Sequence, residues 1–145
     1  MKYLFIGCVF TFLTGCSVQL SKEAPKELIA AVKNTTQITG CPYKWGGGHK
    51  SFSDWGYDCS GSVSYFLASA GALNSPASST ELMRWGIPGE GQFATVYAKP
   101  GHAFMHVGNV RLDTSRINDS NGEGPRWRSN HRNTDGFVAR TMPGW

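Results

Sequence analysis

The amino-acid sequence predicts an α+β fold, in which helices come first and an antiparallel sheet follows. Apolar residues recur at helical spacing between Cys59 and Ala70, and Gly71 then supplies a C-terminal stop. Segments with the character of strands come after this helix, at about residues 93–98, 102–107, 110–114 and 137–140. Gly-Asn at 108–109 is typical of a two-residue hairpin turn between two of them. The tail around Trp127 is expected to serve as a domain-closing strand.

The composition excludes several classes of protein. The chain has 145 residues and a formal net charge of +4, and this length suits one domain with a buried core. Hydrophobic residues make up 40% and charged residues 17% of the chain, which is typical of a globular protein and not of a disordered one. Apolar runs stay below the roughly 18 residues of a membrane-spanning helix. The chain has no block of Lys and Arg, so nucleic acid is not favoured as a partner.

The first residues have the pattern of a targeting segment. Lys2 provides a short positive start, and an apolar stretch at 3–13 has the length of a secretory signal. The string LTGC that ends at Cys16 resembles a bacterial lipobox, in which the cysteine is acylated. A core strand that ends in Gly-Cys is the alternative. The predicted layout is a lipoprotein signal peptide, a tether with an N-terminal helix, and one domain, at residues 1–15, 16–36 and 37–145.

This layout predicts an exported protein that is held on a bacterial membrane by a lipid on Cys16. Ser17, the next residue, does not have the character of an inner-membrane retention residue. In a cell with two membranes, we therefore expect the anchor in the outer membrane, with the domain on the periplasmic side.

Cys59 is the candidate nucleophile, because it stands at the start of the strongest predicted helix. The N-terminus of a helix carries unpaired N–H groups and a partial positive charge, which favour a thiolate over a thiol. The small residues that follow, Ser60 and Gly61, leave room for a substrate carbonyl, and the N–H groups of the first turn can donate to an oxyanion. Two alternatives remain open, a buried structural cysteine and a disulfide with Cys41, which is the ordinary expectation for an exported protein.

A cysteine nucleophile needs an imidazole that is oriented by a third polar group. With the turn at 108–109, His102, His106 and Asp113 lie on one face of the hairpin. Asp113 is diagonal to both histidines, so the geometry selects Asp113 as the orienting residue and leaves both histidines open. Arg111, opposite His106, would compete for Asp113, and this favours His102.

The other two histidines, His49 and His131, lie in a Gly-rich loop and in a basic polar stretch, where we expect solvated roles. A three-histidine zinc site is disfavoured, because the sequence has no HxH or HExxH spacing. We therefore expect neither a metal nor an organic cofactor.

Two strings of the sequence resemble the NlpC-type cell-wall peptidases, which are papain-like cysteine peptidases. Residues 43–67, YKWGGGHKSFSDWGYDCSGSVSYFL, are similar to the family's Tyr-x-Trp-Gly-Gly segment followed by Asp-Cys-Ser-Gly on a helix. Residues 101–115, GHAFMHVGNVRLDTS, are similar to its histidine strand and the hairpin strand after it. The chain departs from the family at His106, where an aromatic or aliphatic residue is more usual, and at Asp113, where many members have histidine.

The resemblance implies a papain-like fold and a peptidoglycan hydrolase that cleaves stem peptides, commonly between the γ-carboxyl of D-glutamate and a diamino acid. It implies a catalytic set of Cys59, His102 and Asp113, with Tyr43 lining the active site and helping to stabilise the oxyanion. The implied partners are peptidoglycan and, through Cys16, the membrane, and we expect a monomer. Arg84, Arg111 and Lys99 are candidates for contacts with substrate carboxylates.

Other functions remain open at this point. An amidase or acyltransferase uses the same catalytic set on other bonds. A non-catalytic wall-binding lipoprotein would hold Cys59 in a disulfide with Cys41. An antibacterial toxin of the same fold is disfavoured by the lipoprotein signal, since a delivered toxin needs no anchor.

Overall fold

The structure is a computed structural model, and it describes residues 17–129 and 132–145. A helical layer packs on a six-stranded antiparallel sheet with the strand order β1-β6-β2-β3-β4-β5. The elements are α1 (Lys26–Thr35), α2 (Cys59–Ser69), α3 (Ser79–Leu82), β1 (Ile87–Pro88), β2 (Ala94–Lys99), β3 (His102–Val107), β4 (Val110–Asp113), β5 (Arg126–Arg128) and β6 (Val138–Thr141). The predicted α+β class is therefore confirmed. Within the described ranges, no helix has the length and apolar character needed to cross a membrane.

Helix α2 begins at Cys59, as its sequence pattern predicts. Asp58 caps it, with its side chain accepting a hydrogen bond of 2.7 Å from the N–H of Gly61. The apolar residues Val63, Phe66 and Leu67 are fully buried against the sheet and α1. The helix is thus held both by its cap and by its burial, which places Cys59 at the edge of the core.

The N-terminal helix α1 belongs to the packed domain. Leu28 and Ala31 are fully buried in the same core as α2. The predicted layout assigns residues 16–36 to a tether with an N-terminal helix, and the structure shows that this helix packs in the core of the domain.

The β3–β4 hairpin has the predicted register. His106 pairs with Arg111 and Val107 with Val110 across the turn. Because side chains alternate along a strand, Ala103, Met105 and Val107 face the helical core, and His102, Phe104 and His106 lie on the other face of the sheet. This second face is covered by further aromatic rings, and the ring centroids of Phe104 and Tyr97 are 5.1 Å apart.

Strand β5 extends the sheet beyond β4, in agreement with the closing strand expected around Trp127. It also carries Arg128, whose side chain is almost fully buried at 1% exposure. Arg128 donates to the carbonyl oxygens of Asp113 at 2.9 Å, Gly122 at 2.9 Å and Gly124 at 3.1 Å, and forms a salt bridge of 2.9 Å with Asp119. One side chain thereby holds both ends of the loop between β4 and β5.

A glycine-rich loop, residues 42–57, folds closely over the first turn of α2. A Cβ atom on Gly61 would lie 2.0 Å from the carbonyl oxygen of Gly47. A Cβ atom on Gly47 would lie 2.3 Å from the carbonyl oxygen of Gly56. Glycine is therefore required at Gly47 and Gly61 by the close approach of one backbone to another.

We expect Gly61→Ala to lower the free energy of unfolding by about 3 kcal/mol, because the added methyl group overpacks the contact with Gly47. Urea denaturation measures this change. Gly122→Ala is the matched control, since the nearest atom to its added Cβ would be the guanidinium end of Arg126 at 3.5 Å. This control should stay within about 0.5 kcal/mol of the unchanged protein. Equal losses in the two variants would show that the close contact does not matter.

Candidate active site

The structure brings together the three residues that the sequence nominates for catalysis. Cys59 is the first residue of α2, His102 the first residue of β3, and Asp113 the last residue of β4. Cys59 is half-buried with a free thiol, and it hydrogen-bonds to His102. The alternative of a Cys41–Cys59 disulfide is therefore wrong. The site lies where the N-terminus of a helix meets the ends of two paired strands.

His102 is held by the carboxylate of Asp113, with 3.2 Å between Nε2 and Oδ1. Burial lowers the pKa of His102, but the hydrogen bonds with Asp113 and Cys59 outweigh it and raise the pKa to about 9. The imidazole is therefore protonated at neutral pH, directly beside the thiol. Such a group stabilises a thiolate and can later give its proton to a leaving amine.

Asp113 is itself clamped from several sides. Its carboxylate lies 2.7 Å from Nη1 of Arg132 and 3.2 Å from Nε of Arg111, and it accepts a 2.9 Å hydrogen bond from the N–H of Ser115. Burial would raise the pKa of Asp113, but the hydrogen bonds from His102, Ser115 and Arg132 lower it. Asp113 therefore stays ionised, although it is only 1% exposed. An ionised carboxylate is the form that holds an imidazolium.

Arg132 belongs to the site but was not indicated by the sequence. Its Nη1 lies 3.0 Å from Nε2 of His102, and its guanidinium packs over the ring of Phe104 at 4.7 Å and that of Phe137 at 5.4 Å. The residue comes from the polar stretch before β6, where no spacing marks it. The sequence indicates only that Arg132 is basic, and it does not indicate which residue this charge contacts.

The two hairpin histidines differ in their surroundings. His102 contacts Asp113 and Cys59. His106 packs among aromatic rings instead, with centroids 4.9 Å from Tyr97 and 5.6 Å from Phe104. The geometry thus favours His102 as the partner of the thiol.

Tyr43 lines the same groove as His102, and its phenol lies near enough to Cys59 for the charge of the thiol to act on it. Burial raises the pKa of its phenol, and the charges of Cys59, Asp58 and Glu123 raise it further. The hydroxyl consequently keeps its proton and is available as a hydrogen-bond donor. The N–H of Cys59 is among the groups that a helix N-terminus leaves without an intrahelical acceptor.

A groove of about 230 Å³ opens beside these residues. Its lining residues are Tyr43, His102, Thr114, Ser115, Arg116 and Glu123. The groove therefore reaches from the imidazole of His102 to the loop between β4 and β5, and it can receive a group of the size of an amino acid.

His49 is a contact that the sequence did not foresee. We expected it to be solvated, yet its Nε2 lies 2.9 Å from Oδ1 of Asp58 and 3.1 Å from Oγ of Ser60. Asp58 also accepts a 3.2 Å hydrogen bond from the N–H of Gly46. His49 and the glycine-rich loop thus support the residue that caps α2, and through it the position of Cys59.

The remaining expectations have separate outcomes. Arg111 is 1% exposed and paired with Asp113, so its proposed contact with substrate is wrong.

The described part of the chain contains no group of three or more His, Cys, Asp or Glu side chains placed to bind a metal ion. Cys16, the signal at 1–15 and His131 lie outside the described residues.

Solved structures with this arrangement of helices and strands come from several bacteria. The P60 domain of an antigen from M. avium paratuberculosis has a TM-score of 0.58 and 19% identity, over 81% of this chain and 94% of that domain. The peptidoglycan hydrolase RipB from Mycobacterium tuberculosis has a TM-score of 0.60 and 21% identity, over 81% of this chain. The fold is that of an NlpC/P60 domain. An NlpC/P60 family protein from Bacillus cereus ATCC 10987 adds a TM-score of 0.58 and 18% identity, over 79% of this chain.

The match is to a domain and not to the whole length of the larger NlpC/P60 proteins. The chain spans 65% of the RipB structure and 40% of the Bacillus cereus structure. No protein-family model matches the sequence, and no curated protein is similar to it. The papain-like NlpC/P60 fold that the two sequence strings predict is nevertheless confirmed by the structures.

We expect Asp113→Asn to lower the pKa of His102 from about 9 towards its ordinary value of 6.5, because the carboxylate that favours the imidazolium is removed. Titration of the His102 ring signals by NMR measures this pKa. The matched control is Asp119→Asn, since Asp119 pairs with Arg128 and not with His102. A His102 pKa that stays near 9 in Asp113→Asn would refute the assigned cause.

Proposed function

We propose that this chain is a peptidoglycan hydrolase that cleaves stem peptides with Cys59 as nucleophile. The observation that carries the proposal is a free thiol at a helix N-terminus, hydrogen-bonded to an imidazole that a buried carboxylate holds. The fold adds support, because RipB, which shares it, is described as a peptidoglycan hydrolase. RipA, another protein with this fold, has been solved in forms mutated at a cysteine, a histidine and a glutamate. Cysteine and histidine are also the residue types of Cys59 and His102, and the third residue of this site, Asp113, is acidic like the glutamate.

The reaction follows from the positions of these groups. The thiolate of Cys59 attacks the carbonyl carbon, and the resulting oxyanion accepts hydrogen bonds from the N–H of Cys59 and the hydroxyl of Tyr43. The C–N bond breaks as His102 gives its proton to the leaving amine, and a thioester on Cys59 remains. Water then attacks the thioester while His102 takes up a proton, which releases the acid and restores the imidazolium–thiolate pair. Asp113 holds the imidazole in place through both steps.

The bond that we propose is the one between the γ-carboxyl of D-glutamate and a diamino acid. The support for this choice is the resemblance of the two strings at 43–67 and 101–115 to NlpC-type peptidases. The groove beside His102 extends far enough to accept an amino acid on the leaving side, since it reaches Arg116 and Glu123. An amidase or acyltransferase would cut a different bond and would release fragments of different mass.

We further propose that the protein is exported and anchored in a membrane by a lipid on Cys16, in the outer membrane where there are two. The support is the sequence at 1–16, with its positive start, apolar stretch and lipobox-like end. A lipid anchor would hold the hydrolase beside its insoluble substrate.

We expect the purified protein to release stem-peptide fragments from purified peptidoglycan, and Cys59→Ala to lower this release about a thousandfold or more, because the nucleophile is lost. Mass analysis of the fragments identifies the bond. Two matched variants separate the hairpin histidines. His102→Gln should lose about 10²–10⁴-fold, whereas His106→Gln should retain most of the activity. Fragments from Cys59→Ala at the unchanged rate, or none from the unchanged protein, would end the proposal.

The anchoring proposal has its own test. Cells that express the full chain with radiolabelled palmitate should label this protein, and Cys16→Ser should remove the label together with membrane sedimentation. Cys8→Ser is the matched control and should leave the label in place, because Cys8 lies within the apolar stretch. Equal labelling of both variants would contradict acylation at Cys16.

A further inference from the structure

The first described residues, 17–20, are fixed to the domain by specific contacts. The N–H of Gln19 donates a 2.7 Å hydrogen bond to Oδ1 of Asn109, in the turn of the β3–β4 hairpin. The side chains of Val18 and Leu20 pack against the hydrophobic core. This segment is therefore part of the packed structure and does not have the contacts of a flexible tether.

The hairpin turn at 108–109 lies directly against the backbone of this segment. Nδ2 of Asn109 donates to the carbonyl oxygen of Ser17 at 3.4 Å. A Cβ atom on Gly108 would lie 2.1 Å from the carbonyl oxygen of Gln19. The turn thus holds the segment by close backbone contact as well as by hydrogen bonds, and this contact needs a residue without a side chain at Gly108.

The hairpin turn and the active site lie at opposite ends of the sheet. Strand β3 begins at His102, which hydrogen-bonds to Cys59, and ends at Val107, directly before the turn. Strand β4 returns from the turn and ends at Asp113. Because a strand rises about 3.4 Å per residue, the length of β3 separates the turn from the imidazole of His102 by about 17 Å.

The proposed lipid is attached one residue before the fixed segment. Neighbouring Cα atoms are about 3.8 Å apart, so a lipid on Cys16 leaves the chain next to Ser17 and close to the hairpin turn. Ser17, Gln19 and Asn109 are exposed there. Their uncharged polar groups can form hydrogen bonds with the headgroups and water of a membrane surface.

We infer that the turn end of the domain, residues 17–20 and 108–109, rests on the membrane surface, so that Cys59 and His102 face away from it. The inference rests on the proposed anchor at Cys16. Because the segment after the lipid is fixed to the domain, the lipid determines the orientation of the domain as well as its location. The active site is then held about 17 Å or more from the headgroups, on the side open to peptidoglycan.

Distances to the membrane test this orientation. The full chain, acylated on Cys16, is reconstituted into vesicles of phosphatidylethanolamine and phosphatidylglycerol, with Cys59→Ser to remove the free thiol. A fluorescent maleimide is attached at the turn end in Gln19→Cys, or at the groove beside His102 in Arg116→Cys. Energy transfer to acceptor-labelled headgroups gives each distance. We expect the second label to lie about 17 Å farther from the headgroups than the first.

Two further variants distinguish a fixed segment from a flexible one. A Gly-Ser linker of about ten residues, inserted between Ser17 and Val18, adds about 17 Å of flexible chain and should make the two distances equal. Asn109→Ala removes the hydrogen bonds to the segment and should reduce the difference. Asn74→Ala, in the loop between α2 and α3, is the matched control and should leave the difference unchanged.

The outcomes separate the inference from the proposals on which it rests. Equal distances for the two labels without the linker, or a difference that persists with the linker, would overturn the inference and leave the anchor in place. A full chain that is not acylated and stays in solution would overturn the proposed anchor, and the inference with it. Neither result bears on the cleavage of peptidoglycan by Cys59, which has its own test.

Discussion

The carboxylate of Asp113 is the group on which the rest of the site depends. It holds His102 on one side and pairs with Arg132 and Arg111 on the other, and the backbone carbonyl of the same residue accepts from Arg128. A buried charge of this kind is stable only while its partners remain, and the partners are in turn costly to bury without it. The imidazole of His102, the edge of the sheet and the loop between β4 and β5 are therefore coupled through one residue.

The thiol is positioned by a second and separate constraint. The first turn of α2 fits under the glycine-rich loop only because Gly47 and Gly61 have no side chains. The side chain of Asp58 joins the loop to the helix, because it accepts hydrogen bonds from backbone N–H groups of both. Cys59 thus comes from the helical layer, whereas His102 comes from the sheet. Its orientation towards His102 follows from how the two layers pack, and a helix N-terminus at that junction favours the thiolate.

Much of this arrangement follows from local sequence patterns. The apolar residues of α2 recur at helical spacing, and the residues of the β3–β4 hairpin alternate on either side of a two-residue turn. The sequence alone is therefore enough to nominate Cys59, His102 and Asp113. It is not enough for Arg132 and Arg128, because they reach Asp113 from segments 19 and 15 residues further along the chain. The contact of His49 with Asp58 could not be predicted either. It depends on the conformation of an irregular loop, in which no helical or strand spacing marks the residues. Strand β1 was not predicted, because it contains only 2 residues, too few to show alternation.

The central claim is that Cys59 carries the acyl group of a stem peptide as a thioester. Digestion of purified peptidoglycan in the presence of hydroxylamine, followed by mass analysis of the fragments, tests it most directly. Hydroxylamine competes with water for a thioester, so we predict that the fragments carry hydroxamates and that Cys59→Ala releases none. Fragments that appear only as free acids, or hydroxamates released by Cys59→Ala at the unchanged rate, would contradict the account.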